Sequence, residues 1–281
     1  MRKQRQSFTI YAMNCAGIGV NMKIDMHCHT REGSIDAKVG IEDYIRKLIS
    51  LGYDGMLITD HNSYRGYGKW TELVNNIKIS QPFKVFKGIE YDTRDAGHII
   101  AILPEHINSK LLEIRGMTVE QLEKIVHNMG GVLGPAHPYG TGFFAFMNTR
   151  FGKKHQEFID KFDFVETFNA CTKPFANFKA RKLATEHSKL HIAGSDAHKE
   201  NIIGSAFTIF EHAIENNDDL IKIIKENAKT IADGTVLESM KRRKSIILEK
   251  IGVAGYWVYN KAGAWIRKKR LESELNQIKI N

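Results

Sequence analysis

Cysteine and proline are both scarce in this sequence of 281 residues. The three cysteines, Cys15, Cys28 and Cys171, form no CxxC pair, which excludes a disulfide framework and favours a reduced, cytoplasmic setting. The five prolines leave few obvious linkers, and we find no internal repeat. The chain also lacks the run of about 18 apolar residues that a membrane span requires. These absences leave an ordinary intracellular globular protein.

Acidic residues are too few to balance the basic ones, and the net charge is +9. The excess lies in two terminal segments: residues 1–21 have three basic and no acidic residues, and residues 236–281 have eleven basic and four acidic. Residues 22–235 are almost neutral, with a net charge of −1. A neutral central segment argues against long nucleic acid as the substrate, because such ligands select for basic surfaces.

The two basic terminal segments are expected to lie outside the main domain. We expect residues 1–21 to be a poorly ordered N-terminal extension before Met22. Residues 236–281 form a predicted basic helical extension, in which "KRRK" and "RKKR" flank an aromatic, glycine-rich segment. Two interpretations of it stay open. It packs as a helical cap, or it contacts an anionic membrane surface or RNA.

Residues 22–235 alternate short apolar runs with helical patterns. Ile41, Tyr44, Ile45 and Leu48 mark one face of a helix, and Thr118 with Gln121 predicts a capping box before another that ends at Gly130. Eight runs are predicted strands: 22–29, 55–61, 83–91, 97–103, 131–137, 163–169, 190–198 and 205–210. The alternation predicts an α/β fold with a mostly parallel sheet, closed as a barrel.

Imidazoles and carboxylates are concentrated at the ends of these predicted strands. The first strand ends in "MHCH", where alternation puts His27 and His29 on one face and Cys28 on the other. Later strands end in "TDH", "GIE", "PAH" and "GSDAH", whereas His98 stands at the start of its run. Because the carboxyl ends of barrel strands surround one mouth, these side chains are expected to meet there. Imidazole and carboxylate together are ligands for zinc, manganese and iron.

With these motifs in order, the sequence resembles the PHP (polymerase and histidinol phosphatase) family of metal-dependent phosphoesterases. The matching segments are "DMHCHT" (25–30), "ITDHN" (58–62), "KGIEY" (87–91), "GHIIAI" (97–102), "PAHP" (135–138) and "GSDAH" (194–198). The resemblance implies a distorted (β/α)7-type TIM-like barrel over residues 22–235. It also implies two or three bound divalent metal ions, manganese, zinc or iron, that cleave phosphate esters.

The resemblance also assigns roles by position. The metal ligands it implies are His27, His29, His61, Glu90, His98, His137, Asp196 and His198. Glu90 would bridge two metals, and Glu90, Asp196 and His198 are the expected catalytic residues. The chain departs from the family after HxH, where it reads "TREGSIDAK". Asp36 or Glu32 would supply the additional ligand there, and we favour Asp36.

These assignments predict a hydrolase of phosphate mono- or diesters. Two metals would hold a bridging hydroxide as the nucleophile, Asp60 would orient a ligand, and Arg65 and Lys69 would contact the substrate phosphate. We expect a small phosphorylated substrate, a nucleotide or sugar phosphate. A histidinol phosphatase, an exonuclease and a protein-tyrosine phosphatase stay open within the family. The alternative outside catalysis is an inactive metal-bound regulatory or binding module.

Overall fold

The computed structural model of the protein describes residues 21–75 and 82–236. The predicted terminal extensions, 1–21 and 236–281, therefore fall outside the described residues except for one residue each. No helix among the described residues is long and apolar enough to span a membrane.

Nine strands and six helices form the described fold. The strands are β1 (Met22–Cys28), β2 (Gly55–Ile58), β3 (Lys84–Asp92), β4 (His98–Ile102), β5 (Val132–Pro135), β6 (Phe164–Asn169), β7 (Leu190–Gly194), β8 (Ala206–Phe210) and β9 (Thr230–Gly234). The helices are α1 (Ile41–Ser50), α2 (Arg65–Leu73), α3 (Val119–Asn128), α4 (Arg150–Lys154), α5 (Pro174–Glu186) and α6 (Asn217–Lys225). Short 3-10 helices span Lys110–Glu113, Gly142–Phe144, Phe146–Asn148, Gln156–Lys161 and Glu200–Ile202.

All eight predicted strands and the helices with the clearest periodicity are confirmed. Helix α1 buries Ile41, Tyr44, Ile45 and Leu48, the apolar stripe read from the sequence. The Thr118 side chain accepts from the backbone of Gln121 and the reciprocal bond is present, so α3 begins with the predicted capping box. Strand β9 was missed because its residues are half exposed and follow no buried alternation.

The sheet is mixed, so the prediction of a mostly parallel sheet is wrong. Strands β1, β2 and β3 are parallel, as are β6 and β7, but β4 runs antiparallel to both β3 and β5. Only five residues, 93–97, join β3 to β4. So short a connection holds no crossover helix and produces an antiparallel pair.

The α/β class is confirmed, whereas the closed TIM-like barrel is not. Seven strands form one curled sheet in the order β5-β4-β3-β2-β1-β8-β9, and β6 and β7 form a separate pair. Strand β8 pairs antiparallel with Met22–Ile24 at the start of β1. Strand β7 packs against β1 without forming a ladder with it, and the segment that follows β7 makes an isolated bridge between Ala197 and Cys28. The hydrogen-bonded ladder is interrupted there, and the barrel stays open.

Two β-bulges aim side chains into the concave side of the sheet. In β1 the register shifts between Asp25 and Cys28, so that Met26 packs in the inner core and the next residue, His27, contacts Glu90 on the same side. A second shift lies in β6, immediately after Glu166. Bulges re-aim side chains in this way beside functional sites. Cys28 faces the opposite side and packs against α1.

Candidate metal centre

Glu90 stands at the centre of a group of histidines. Its side chain is 1% exposed, and five imidazole nitrogens lie within 3.4 Å of its carboxylate: Nε2 of His27, His29 and His137, and Nδ1 of His61 and His98. These residues come from the ends of β1, β2, β3 and β5 and from the start of β4. Because β4 is antiparallel to β3, its first residue pairs with the last residue of β3, which explains why His98 stands at the start of its strand.

Asp196 gathers a second set of contacts on the other side of the HxH pair. Its Oδ1 lies 3.2 Å from Nε2 of His29 and 3.5 Å from Nδ1 of His198. The rings of His29 and His198 stack with centroids 4.2 Å apart. All eight histidine and acid residues that the resemblance assigned as ligands therefore lie in one connected cluster.

Of the two acids considered for the additional ligand, Asp36 lies at the cluster and Glu32 does not contact it. Oδ2 of Asp36 is 3.3 Å from Nε2 of His198 and 3.9 Å from Nε2 of His61. Oε2 of Glu32 instead accepts a hydrogen bond from the backbone of Ile41, at the start of α1. The Asp36 side chain is 56% exposed, so this side of the cluster faces solvent.

A carboxylate holds His27 by the ring nitrogen that points away from Glu90. Nδ1 of His27 donates to Oε1 of Glu166 at 2.9 Å, which leaves the lone pair of Nε2 facing Glu90. Glu166 was not predicted; its only sequence signal is an acid within a buried apolar run. Carboxylates that hold the far nitrogen of a histidine in this way are typical of metal centres, because they fix the tautomer.

Asp60 orients His29 through an intermediate hydroxyl. Oγ of Ser34 donates to Oδ1 of Asp60 at 2.9 Å and lies 3.1 Å from Nδ1 of His29. Since the Ser34 proton points to Asp60, Nδ1 of His29 is the donor and its Nε2 faces the cluster. Thr30 also donates to Asp60 through its backbone N–H and its hydroxyl, which fixes the carboxylate. Burial raises the pKa of Asp60 to about 6.

The cluster's electrostatics demand positive charge. Burial alone would raise the pKa of Glu90, yet the charges of His98, His27 and His61 lower it well below its usual range. Burial likewise lowers the pKa of His27, but Glu166, Glu90 and Asp196 together raise it well above the ordinary value. Buried carboxylates of this kind are stable only when protons or metal ions neutralise them.

Two buried atoms in the cluster lack a hydrogen bond. They are Nδ1 of His61 and Oδ1 of Asp92, and both lie among carboxylate and imidazole groups. Three groups in the described residues have ligand atoms close enough to share an ion: His29–His61–His198, His27–His29–Glu90 and His61–Glu90–His98. Oriented imidazoles, ionised acids and unpaired buried atoms together fit divalent cations.

The backbone is unusual at three positions around the cluster. Asn62, His137 and Asp196 have positive φ angles of 46°, 31° and 52°. Residues other than glycine adopt this region at a cost, and such positions concentrate at functional sites.

The two predicted phosphate-binding residues are less closely tied to the cluster. Nζ of Lys69 lies 2.9 Å from the Glu72 carboxylate, and Arg65 is exposed at the start of α2. Neither forms an ion pair with the cluster's acids within the described part of the chain. Two aromatic side chains lie beside the cluster: the ring of Phe144 is 4.7 Å from that of His98, and the ring of Phe143 is tilted against Phe144 at 4.2 Å.

Comparison with known proteins finds similar folds. A family model described as PHP-associated matches residues 174–228. A candidate metal-dependent phosphoesterase from Bifidobacterium adolescentis is 16% identical with a TM-score of 0.51, covering 73% of this chain and 96% of that one. A Bacteroides vulgatus protein described as containing a PHP-like metal-dependent phosphoesterase is 17% identical with a TM-score of 0.50, over 77% and 65% of the two chains. The resemblance to the PHP family is confirmed.

A third similar structure is that of endonuclease Q, solved with a 27-mer duplex substrate that has an abasic lesion at the active site. It is 17% identical with a TM-score of 0.52, and the alignment covers 75% of this chain but 58% of that one. At these identities the solved structures show a shared fold. No curated protein matches the chain in sequence.

Proposed function

We propose that the protein is a metal-dependent hydrolase of phosphate esters whose substrate is a small phosphorylated molecule, a nucleotide or a sugar phosphate. The observation that carries the proposal is the position of Glu90, buried among five histidines and flanked by Asp196. Few buried carboxylates are surrounded in this way for packing alone, because each ionised group removed from water costs several kcal/mol unless it is compensated.

The residues proposed to hold two or three divalent ions, manganese, zinc or iron, are His27, His29, Asp36, His61, Glu90, His98, His137, Asp196 and His198. When bound, such ions neutralise phosphate oxygens and make a water molecule more acidic. The chain's own contribution is orientation, since Glu166, and Asp60 through Ser34, direct Nε2 of His27 and His29 towards Glu90.

Glu90, Asp196 and His198 are the proposed catalytic residues. Glu90 belongs to two of the three candidate groups, so it is placed to be shared between ions. His198 and Asp36, at the solvent-facing side, are 24% and 56% exposed. A substrate arriving from solvent meets this pair first, and His198 is placed there to move a proton.

A small substrate is favoured over long nucleic acid by charge. Residues 22–235 have a net charge of −1, whereas proteins that hold a nucleic-acid backbone usually present basic surface to it. The DNA-bound endonuclease Q neighbour supports the second candidate, a phosphodiester in nucleic acid, because it has the same fold. Arg65 and Lys69 remain the proposed phosphate contacts in either case.

The test is turnover by full-length protein, stripped of metal and reloaded separately with manganese, zinc or iron. The substrates are p-nitrophenyl phosphate, bis-p-nitrophenyl phosphate, nucleoside monophosphates, sugar phosphates and an oligonucleotide duplex. We expect hydrolysis of the small esters, and a loss of at least about 100-fold for Glu90→Gln. A metal-loaded wild type without turnover on the whole panel would instead indicate a metal-bound regulatory module.

A further inference from the structure

Asp92 is a buried acid at the cluster with no assigned role. It is the last residue of β3, two positions after Glu90, so alternation puts both carboxylates on the same face. In the antiparallel register it pairs directly with His98. The residue is 3% exposed.

One oxygen of Asp92 is fixed by a reciprocal pair of hydrogen bonds. Nδ2 of Asn62 donates to Oδ2 of Asp92 at 2.7 Å, and the Asp92 backbone N–H donates to Oδ1 of Asn62 at 3.0 Å. The Asn62 backbone in turn donates to the carbonyl of Glu90 at 3.0 Å, in the left-handed conformation noted above. Arg115 approaches the same oxygen at 3.6 Å. The carboxylate therefore has one defined orientation.

The other oxygen, Oδ1, has no hydrogen bond although it is buried. It faces Nε2 of His98 at 3.2 Å and Nδ1 of His61 at 3.5 Å. An unsatisfied buried acceptor costs about 1–3 kcal/mol. Ligands held at about 2.1 Å in a tetrahedral arrangement are about 3.4 Å apart. The two distances therefore match the separation of atoms that share one small cation.

The hydrogen bond on the far side of His98 strengthens this interpretation. Nδ1 of His98 lies 3.0 Å from Oε1 of Glu90, so both ring nitrogens face carboxylates. One imidazole thus lies between two buried carboxylates, and a cation on the Asp92 side would compensate the second of them.

We infer that Asp92 is a ligand, through Oδ1, for a divalent cation bound by His61 and His98. The inference rests on the proposed metal binding and adds a carboxylate to His61 and His98, which belong to one of the groups close enough to share an ion. It places this site at the buried end of the cluster. The rival role is a positioning one, in which Asp92 only accepts a hydrogen bond from Nε2 of His98.

The decisive variant is Asp92→Asn in full-length protein, with Asp160→Asn as a matched control, since Asp160 is an exposed acid paired with His187. Metal-free proteins are titrated with Zn²⁺ and Mn²⁺ by calorimetry, and with Co²⁺ by its visible absorption. We expect the variant to lose one equivalent, or to bind it about 10-fold or more weakly. The Co²⁺ band of that site should change, and the control should match the wild type.

A stability readout separates the two roles. A ligand role predicts that metal-free Asp92→Asn unfolds at a temperature close to that of the metal-free wild type, while its stabilisation by added zinc is smaller. If the variant is insoluble, Asp92→Glu replaces it, because the longer side chain keeps the charge but displaces the oxygen; the same loss of affinity is expected.

Full stoichiometry with affinities within twofold of wild type would overturn the inference. So would a wild type that binds no divalent ion, which would also end the proposed function. Loss of one equivalent in the variant, together with a wild type inactive on every phosphate ester, would support the inference while refuting the hydrolase.

Discussion

Oε1 of Glu166 accepts a hydrogen bond from Nδ1 of His27 at 2.9 Å, and both side chains are fully buried. The second oxygen of Glu166 accepts from the backbone N–H of His137 and from Asn169. One carboxylate on β6 thus fixes a histidine from β1 and the turn that presents a histidine after β5. This contact joins the separate β6–β7 pair to the seven-stranded sheet at the metal centre.

Glu166→Gln should weaken metal binding without unfolding the protein. The amide oxygen still accepts one bond from His27, but the charge that increases the basicity of the imidazole is lost. We expect metal affinity or kcat/KM to fall by about 10- to 100-fold, as for other carboxylates that support a ligating histidine. Calorimetric zinc titration measures it, and Glu157→Gln, which removes an exposed partner of His155, is the control. An unchanged affinity would contradict the proposed orienting role.

Neutralising Asp36 and neutralising Glu32 should have different effects on metal binding and on stability. Asp36→Asn removes the acid beside His198, so we expect a lower metal stoichiometry or a kcat reduced by about 10-fold or more. Glu32→Gln only weakens the bond to the Ile41 backbone at the start of α1, and we expect a loss of about 0.5–1 kcal/mol of stability with normal metal binding. Metal analysis and thermal unfolding of both variants decide it. The opposite assignment, with Glu32 as the ligand, would give the reverse pattern.

Metal removal should destabilise the protein substantially. The cluster holds buried acids that depend on neighbouring positive charge, so chelation leaves only protons to compensate them. Saturation at about 100 times Kd adds about 2.7 kcal/mol to the free energy of unfolding. Thermal unfolding with and without a chelator should show this shift in the wild type. The shift in unfolding temperature should be much smaller in His27→Ala. Equal shifts in the wild type and the variant would argue against ions at the cluster.

The sequence predicted which residues lie together better than it predicted the sheet that carries them. His27, Glu90 and Asp196 could be found because each follows or ends an apolar run and belongs to a local motif. Glu166 and Asp92 could not, because their partners, His27 and Asn62, are 139 and 30 residues away and only the folded register joins them. That the barrel stays open was equally hidden. It depends on β8 pairing with Met22–Ile24, an edge contact that the strand pattern of β8 does not specify.

His127 should make stability depend on pH far from the metal centre. Both ring nitrogens donate to acids, Nε2 to Asp163 at 2.9 Å and Nδ1 to Glu123 at 3.1 Å, and the bond to Asp163 is the main reason that its pKa is raised above 6.5. A pKa raised in the folded state stabilises fully below the unfolded value and is lost as the pH rises through the folded value. We expect His127→Gln to cost at most about 1 kcal/mol near pH 5.5. The cost should shrink steadily above pH 6.5, the ordinary histidine pKa. Urea unfolding across this range measures it, and a cost that grows with pH would contradict the assignment.

Two glycine-to-alanine substitutions should act in opposite directions. A Cβ on Gly194, at the end of β7, would overlap the Cβ and the backbone nitrogen of His27. The methyl group must therefore push β7 away from β1 or displace His27. Gly68 lies inside α2 with no neighbouring atom within 4 Å of the added carbon. We expect Gly194→Ala to destabilise by about 3 kcal/mol or more and to weaken metal binding, since overpacked cores have little room to relax. Gly68→Ala should stabilise by about 0.5–1 kcal/mol, because alanine loses less backbone entropy than glycine on entering a helix. Urea unfolding of the metal-free proteins, followed by zinc titration, measures both effects. The added methyl group would displace the backbone that carries the His27 imidazole. A Gly194→Ala variant with wild-type zinc affinity would therefore mean that β7 does not hold His27 in place.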